Sequence, residues 1–267
     1  MAEKETKNKP KDLIEATPEE VEKLEAEIKE KAPEEVVILS REAKIAERER
    51  EMHKAHLASW IPKTELGKLV RTGKEKDIDK LLTSGKRILE PEIVDTLIPH
   101  MEHDLLSIGQ SKGKFGGGKR RAWRQTQKKT MEGNVVTFSS MVVVGDRNGH
   151  VGIGMGKAKE TLPTRVKAMR LAKLNLVRIT RGWESHEKGT DPHTVPFIVE
   201  GKSGSVRIKL IPAPRGTGLV VGDQAKKILR LAGIKDVYAY TQGQTRTTFN
   251  VAQACIDALK KTNMMKL

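Results

Sequence analysis

Apolar residues recur at helical spacing through the first hundred positions of this chain and at alternate positions from about residue 136 onward, so a helical lead-in should precede a part built on strands. Residues 1 to 57 are rich in Glu, Lys and Ala. Thr17-Pro18-Glu19-Glu20 has the form of a capping box, and Val21, Leu24 and Ile28 make a thin apolar stripe. That stripe is too narrow to close a core, so the segment should lie on a partner or stay mobile. After the break at Trp60-Ile61-Pro62, short helical patterns follow at Thr64 to Val70 and at Pro91 to Met101, where Ile93, Val94, Leu97 and Ile98 are apolar. Gly73, Gly85 and Pro99 interrupt them.

Val136, Phe138, Val142 and Val144 fit one face of a long strand, and Gly145-Asp146-Arg147-Asn148-Gly149 carries the Asn-Gly signal of a hairpin. The next strand, Val151-Gly152-Ile153-Gly154-Met155-Gly156, alternates apolar residues with glycine, so one face is hydrophobic and the other is bare backbone. A helix, a second domain or RNA could approach that bare face. Pro163 should open a helix running to about Val177, with Leu162, Val166, Met169 and Leu176 inward. A loop from Gly182 to Pro196 separates this unit from another. There Val206, Ile208 and Leu210 alternate with Arg207 and Lys209, Asp223 should cap a helix stopped by Gly233, and a strand near Val237 to Tyr240 leads to a last helix capped by Asn250. The pattern is α+β, two small domains with each sheet covered by helices.

Charge locates the chemistry. The chain has 50 Lys and Arg against 35 Asp and Glu, a net +15, and residues 1 to 37 carry 12 acidic and 7 basic side chains, so the excess positive charge sits in the body. The run Ser111 to Met131 holds eight cations, four glycines, two aromatics and no acid. It has too little apolar surface to be a core element, and its charges repel unless an anion lies against them. Either it is a solvated linker or it binds polyphosphate. The second reading gives Lys112, Lys114, Lys119, Arg120, Arg121, Arg124, Lys128 and Lys129 to phosphates and lets Phe115 and Trp123 lie on a base or sugar. Two bulky aromatics in a chain with 3% aromatic residues favour nucleic acid.

Several other classes recede. A single cysteine, Cys255, rules out an intrachain disulfide and a multi-cysteine zinc site; it falls on the helical stripe of Val251, Ala254, Ala258 and Leu259 and reads as a buried small hydrophobe. No apolar run reaches the ~20 residues of a membrane span, and the acidic N-terminus is unlike a signal peptide, so a cytoplasmic location is expected. Gly152 to Lys157 fits neither G-x-G-x-x-G nor a P-loop, since Ala158 stands where the latter needs Ser or Thr. Its end, Lys157 with Lys159, suits a phosphate backbone or plain solvent. His186 and His193, near Glu184, Glu187 and Asp191, are too loosely spaced to imply a metal, and no acid–base or nucleophile grouping points to an enzyme or a cofactor.

Glu102 to Leu106, Ile108 to Gly118, Val143 to Glu160 and Pro212-Ala213-Pro214-Arg215-Gly216-Thr217-Gly218-Leu219 together resemble the universal small-subunit ribosomal protein family number five, in its archaeal and eukaryotic form. The resemblance runs in register from about Trp60 to Leu259. It implies a helical extension over residues 1–60, short helices over 61–103, a domain similar to a double-stranded-RNA-binding fold over 104–182, a linker at 183–196, and a second α+β domain over 197–262 with a left-handed β-α-β crossover, an exception to the usual hand. It further implies a non-catalytic constituent of the small ribosomal subunit, bound to small-subunit ribosomal RNA near the messenger RNA entry path. Its neighbours there would be the small-subunit proteins numbered three, four and eight, and its roles assembly, messenger unwinding and decoding accuracy. Lys128 holds the family's basic position on the first strand, and Arg215 is expected to join Lys157 in touching RNA. Met131-Glu132-Gly133 departs from the bacterial loop, so bacterial antibiotic contacts do not carry over, and the tail without Arg-Gly repeats favours an archaeal source. The competing readings are a free double-stranded-RNA-binding regulator, which would not need the second domain, and an RNA-modifying enzyme, which would need a catalytic cluster.

Overall fold

The computed structural model describes residues 57–110, 120–184 and 191–264. The chain divides into two units, Met1–Trp60 and Ile61–Leu267. The expected extension helix with Val21, Leu24 and Ile28 lies outside the described residues, and the fold described is that of the second unit.

Three short helices open it: α1 (Glu65–Arg71), α2 (Ile78–Thr83) and α3 (Pro91–Leu97). Thr64 caps α1, its hydroxyl accepting from the Gly67 amide at 3.1 Å. α3 has Pro91 in its first turn and stops at Leu97, short of the expected Met101, because the residue before Pro99 is pushed out of the helical region; Ile98 sits at φ −125, ψ 86.

The first sheet contains β1 (Glu102–Leu105), β2 (Trp123–Thr130), β3 (Gly133–Gly145), β4 (His150–Ala158) and β5 (Leu176–Arg178). Its order is β1-β3-β4-β5, with β2 also on β3. β1 and β2 share one edge of β3, β1 alongside Val142 to Gly145 and β2 alongside Gly133 to Ser140. Thus the second half of the basic run is an edge strand, and most of it is exposed. The β3–β4 hairpin falls where the Asn-Gly signal put it, but by another route. Its left-handed residues are Arg147 (φ 59) and Gly149 (φ 105), and the Asp146 carboxylate accepts from the amides of Asn148 at 2.7 Å and His150 at 3.0 Å.

Helix α4 (Thr161–Leu174) covers one face of this sheet, and its packing corrects the expected inward stripe. Leu162 and Val166 are 72% and 60% exposed, whereas Thr164, Ala168 and Ala172 are fully buried. The bare face of β4 explains the inversion. A Cβ on Gly152 would strike the Ala172 carbonyl, one on Gly154 the Ala168 carbonyl and Ala172 amide, and one on Gly156 the Thr164 carbonyl. Helix backbone meets strand backbone there, and only side chains the size of Ala or Thr fit at the contact. The helix begins at Thr161 rather than Pro163. It ends at Leu174 rather than Val177, because Leu176 and Val177 pair with Gly152 and Val151 as β5.

The second sheet, β6 (Val199–Ser203), β7 (Val206–Pro212), β8 (Leu219–Val220) and β9 (Val237–Gln242), has the order β6-β7-β9-β8. β8 and β9 are parallel and joined through α5 (Asp223–Ala232). The last helix, α6 (Thr248–Lys261), packs on β6 by the same device as α4, with Gly201 facing the backbone of Ala254 and Ala258. Asp223 is the first residue of α5, not its cap, and Asn250 lies inside α6, whose cap position is Thr247. Gly233 does end α5, at φ 83.

One apolar cluster runs through both sheets. Met141, Val143 and Val151 of the first sheet are buried with Ile208 and Leu210 of the second and with Ile228, Leu229, Cys255 and Leu259 of the helices between. β3 is therefore buried on both faces over Met141 to Val144, not on the single face its alternation suggested. Cys255 is enclosed, and burial pushes its thiol up to about 12.

Two histidines lock segments together. The His150 ring lies between carboxylates, Nδ1 2.6 Å from Asp146 and Nε2 3.0 Å from Asp79 of α2, and Arg178 Nε approaches Asp79 at 3.1 Å. Burial alone would lower the His150 pKa, but the hydrogen bond and charge of Asp146, then those of Asp79, outweigh it and raise the pKa. Only the imidazolium donates from both nitrogens. Asp146 responds in the opposite sense: burial would raise its carboxyl, but the His150 and backbone hydrogen bonds win and lower it. His193 is buried against Asp236 at 2.9 Å, whose other oxygen accepts from the Gly218 amide at 2.8 Å. This histidine ties the linker to the second sheet. His186 lies outside the described residues, and among the described residues no group of three or more potential metal ligands occurs.

Candidate nucleic-acid interface

Cations in this protein fall into two groups by what faces them. Lys173 lies 2.6 Å from Asp95, Lys227 2.9 Å from Asp104, and Arg147 2.6 Å from Glu102. The first pair joins α3 to α4, and the other two join α5 and the β3–β4 turn to β1. Arg121, Arg124, Lys128, Lys129, Lys157 and Lys159 form no ion pair with a described residue. Six cations with no ion pair to a described carboxylate leave a net field that favours an external polyanion.

The sheet arranges them. Arg124 stands opposite Ser139 on one side of β3 and Lys157 opposite the same Ser139 on the other, so the two cations share a row and a face across three strands. Ser139 is buried between them and donates to the Arg124 carbonyl at 3.3 Å. Lys128 follows four residue pairs along, on the same face as Arg124, while Lys129 lies on the other. Lys159 lies just past the end of β4. Trp123 pairs with Ser140, is half-buried, and by strand alternation belongs to the opposite face from Arg124. The structure therefore separates this aromatic from the Arg124 row. Arg215 is on the Pro212 to Leu219 loop, its guanidinium donating to the Asp191 carbonyl at 3.2 Å, apart from the β2 and β4 cations. Lys112, Lys114, Phe115 and Lys119 lie outside the described residues.

Some basic positions escaped the sequence reading. Arg120 and Arg124 line a cavity of about 520 Å³ together with Arg246, which follows β9 in sequence. Another, of about 590 Å³, gathers Arg147, Arg181, Arg230 and Lys235. Arg246 lies more than 120 residues from Arg120 and Arg124, and Arg230 and Lys235 about 50 or more from Arg147 and Arg181, so no local motif announces either set. On the outer face of the second sheet, both tyrosines of the chain, Tyr238 and Tyr240, stand exposed, with Tyr240 paired to Lys209.

These unpaired cations on an exposed edge strand and at a strand end can bond phosphate oxygens, and no cluster of acid, base and nucleophile accompanies them among the described residues. Comparison with known proteins places the chain. Residues 122–180 match the model of the ribosomal protein S5 N-terminal domain, and residues 201–266 that of the ribosomal protein S5 C-terminal domain. The small ribosomal subunit protein uS5 of Nanoarchaeum equitans is 45% identical over 213 residues, 79% of this chain and 91% of that protein. The uS5 of Methanospirillum hungatei is 46% identical over 211 residues, covering 79% and 96%, and that of Methanococcus maripaludis 42% over 224 residues, covering 84% and 91%. The chain belongs to the ribosomal protein S5 family. Members of that family are structural proteins rather than enzymes, and the similarity is to its archaeal type.

Proposed function

We propose that this protein is a structural constituent of the small ribosomal subunit in the cytoplasm, where it binds small-subunit ribosomal RNA through the unpaired cations of β2 and β4. The observation that carries this reading is the Arg124–Ser139–Lys157 row, continued by Lys128 and by Arg120 and Arg121, none of which forms an ion pair with a described carboxylate. Phosphate contacts should dominate, because guanidinium and ammonium groups on an exposed strand recognise the backbone regardless of base. Lys112, Lys114, Phe115, Lys119, Trp123, Lys129, Lys159 and Arg215 complete the proposed contact set.

Within the subunit the protein is assigned a position near the messenger RNA entry path beside the proteins numbered three, four and eight, with roles in assembly, messenger unwinding and decoding accuracy. Family membership supports this placement. Within the first sheet, the antiparallel strands β2, β3 and β4, followed by α4 packed on one face, support a likeness to the double-stranded-RNA-binding fold for residues 104–182. The parallel pair β8–β9 joined by α5 is the unit to which the left-handed crossover of the second domain, 197–262, is assigned. Sedimentation of cell extract on a gradient tests the reading. The protein should travel with small subunits and stay there through a high-salt wash; recovery in the soluble fractions would overturn it.

A further inference from the structure

The cavity of about 520 Å³ between the first sheet and the start of α6 is lined by nine residues, among them Gln110, Arg120, Arg124, Arg246 and Phe249. Three of these are arginines and none is acidic. Arg120, Arg124 and Arg246 are exposed side chains, and none makes an ion pair with a described residue. The Arg120 guanidinium donates to the Arg246 carbonyl at 3.3 Å, which fixes the start of the basic strand against the turn before α6 although the two are 126 residues apart. Three exposed arginines around one hollow repel each other only modestly through water, and an anion among them is attracted by all three. The α6 amides behind the arginines carry no side-chain cap, and they add donors of the same sign of field.

We infer that this cavity holds a single RNA backbone phosphate gripped from both sheets at once, by Arg120 and Arg124 from the first and Arg246 from the turn after the second. The inference rests on the RNA-binding reading above and deepens it by adding Arg246 as a contact residue. Its geometry matches a phosphodiester: one charge with two free oxygens, each able to accept a guanidinium fork, in a hollow open enough for the strand to enter and leave. A nucleic acid held there would tie the two sheets to each other as well as to itself.

The test uses the full chain and an in-vitro transcript of small-subunit ribosomal RNA, with affinity measured over a range of salt. Arg246→Gln should weaken binding about tenfold and take about one unit from the slope of log K against log salt, while Arg246→Lys keeps the slope. Because one phosphate is shared, Arg120→Gln with Arg246→Gln should lower the slope by about one unit, not two, and cost less than the product of the single losses. A double variant losing about two units would mean two separate phosphates and overturn the proposal. So would unchanged affinity in Arg246→Gln. If that variant binds RNA normally but fails to enter reconstituted subunits, the cavity takes a carboxylate of a neighbouring protein instead. If inorganic phosphate raises the melting temperature of the parent but not of Arg246→Gln, with RNA affinity equal in both, the ligand is a free anion and the proposal fails. The RNA reading itself fails separately, if replacing Arg120, Arg121 and Arg124 with Ala leaves affinity and slope unchanged.

Discussion

Replacing Gly154 with Ala adds a single carbon, yet it should be among the most damaging small substitutions in the chain. The new Cβ would lie 2.8 Å from the Leu171 carbonyl carbon and closer still to the Ala168 carbonyl oxygen and Ala172 amide. Carbon atoms rest at about 3.5 Å or more, so α4 must lift by about 0.7 Å or more from the sheet. That separates Ala168 and Ala172, both 0% exposed, from the strand they cover. Overpacking of this kind costs about 1–3 kcal/mol, and the upper end applies because every obstacle is backbone. At about 2–4 °C per kcal/mol for a chain of this size, the melting temperature should fall by roughly 6–12 °C. Gly154→Val should fare no better despite its preference for strands, a gain of under ~1 kcal/mol. Ala168→Gly should not rescue either variant, since it removes no obstructing atom. Thermal melts followed by circular dichroism, with the exposed Leu162→Ser as control, read all of this. A melting temperature for Gly154→Ala within about 1 °C of the parent would show that the helix is not seated on the glycine face.

Three further outcomes are expected. His150, whose pKa is raised on folding, should contribute stability that is complete below its unfolded value of about 6.5 and is lost as pH rises through the folded value; His150→Gln should remove that alkaline decline from denaturant titrations, and an identical decline in the variant would exclude the imidazolium. Asp146 adds the opposite limb, present above about pH 3.8 and lost on acidification through its lowered pKa. Cys255, enclosed and with its thiol pushed up to about 12, should resist thiol reagents until the protein unfolds, so that labelling and unfolding follow one rate; fast labelling of the native protein would contradict the shared core. Deleting residues 1–37, which carry net −5, should leave RNA affinity equal or slightly higher in a filter-binding assay, and a clear loss with the fold intact would mean that this acidic segment touches RNA.

Much of the fold could be read in the chain because local rules and tertiary needs agreed. Val206, Ile208 and Leu210 alternate and are buried, Gly233 stops its helix, and Cys255 is enclosed on its stripe. The reading of α4 failed where they disagreed. An apolar stripe through Leu162 and Val166 suggested the buried face, but the glycine strand demands close backbone approach, and bulky side chains cannot lie in that gap. A signal did exist: Thr164, Ala168 and Ala172 recur every fourth residue, as small side chains opposite glycines spaced by two. The basic strip was legible as composition, but its row from Arg124 to Lys157 depends on register across β3. The addition of Arg246 depends on the meeting of the two sheets. Neither leaves a trace in local sequence.

The shared core also imposes a schedule on synthesis. The ribosome completes the first sheet at Arg178, but the residues that cover its Met141, Val143 and Val151 face, among them Ile228, Leu229 and Leu259, emerge about 50 to 80 residues later. At roughly 5–20 residues per second, that face waits about 3–16 s for its partners. For that interval the nascent chain is a one-sided sheet, closed on the α4 side and open and apolar on the other, a form prone to aggregation. The loop after Gly182 therefore lies between two sheets that share one core, and it does not mark a point at which the emerging chain is safe from aggregation.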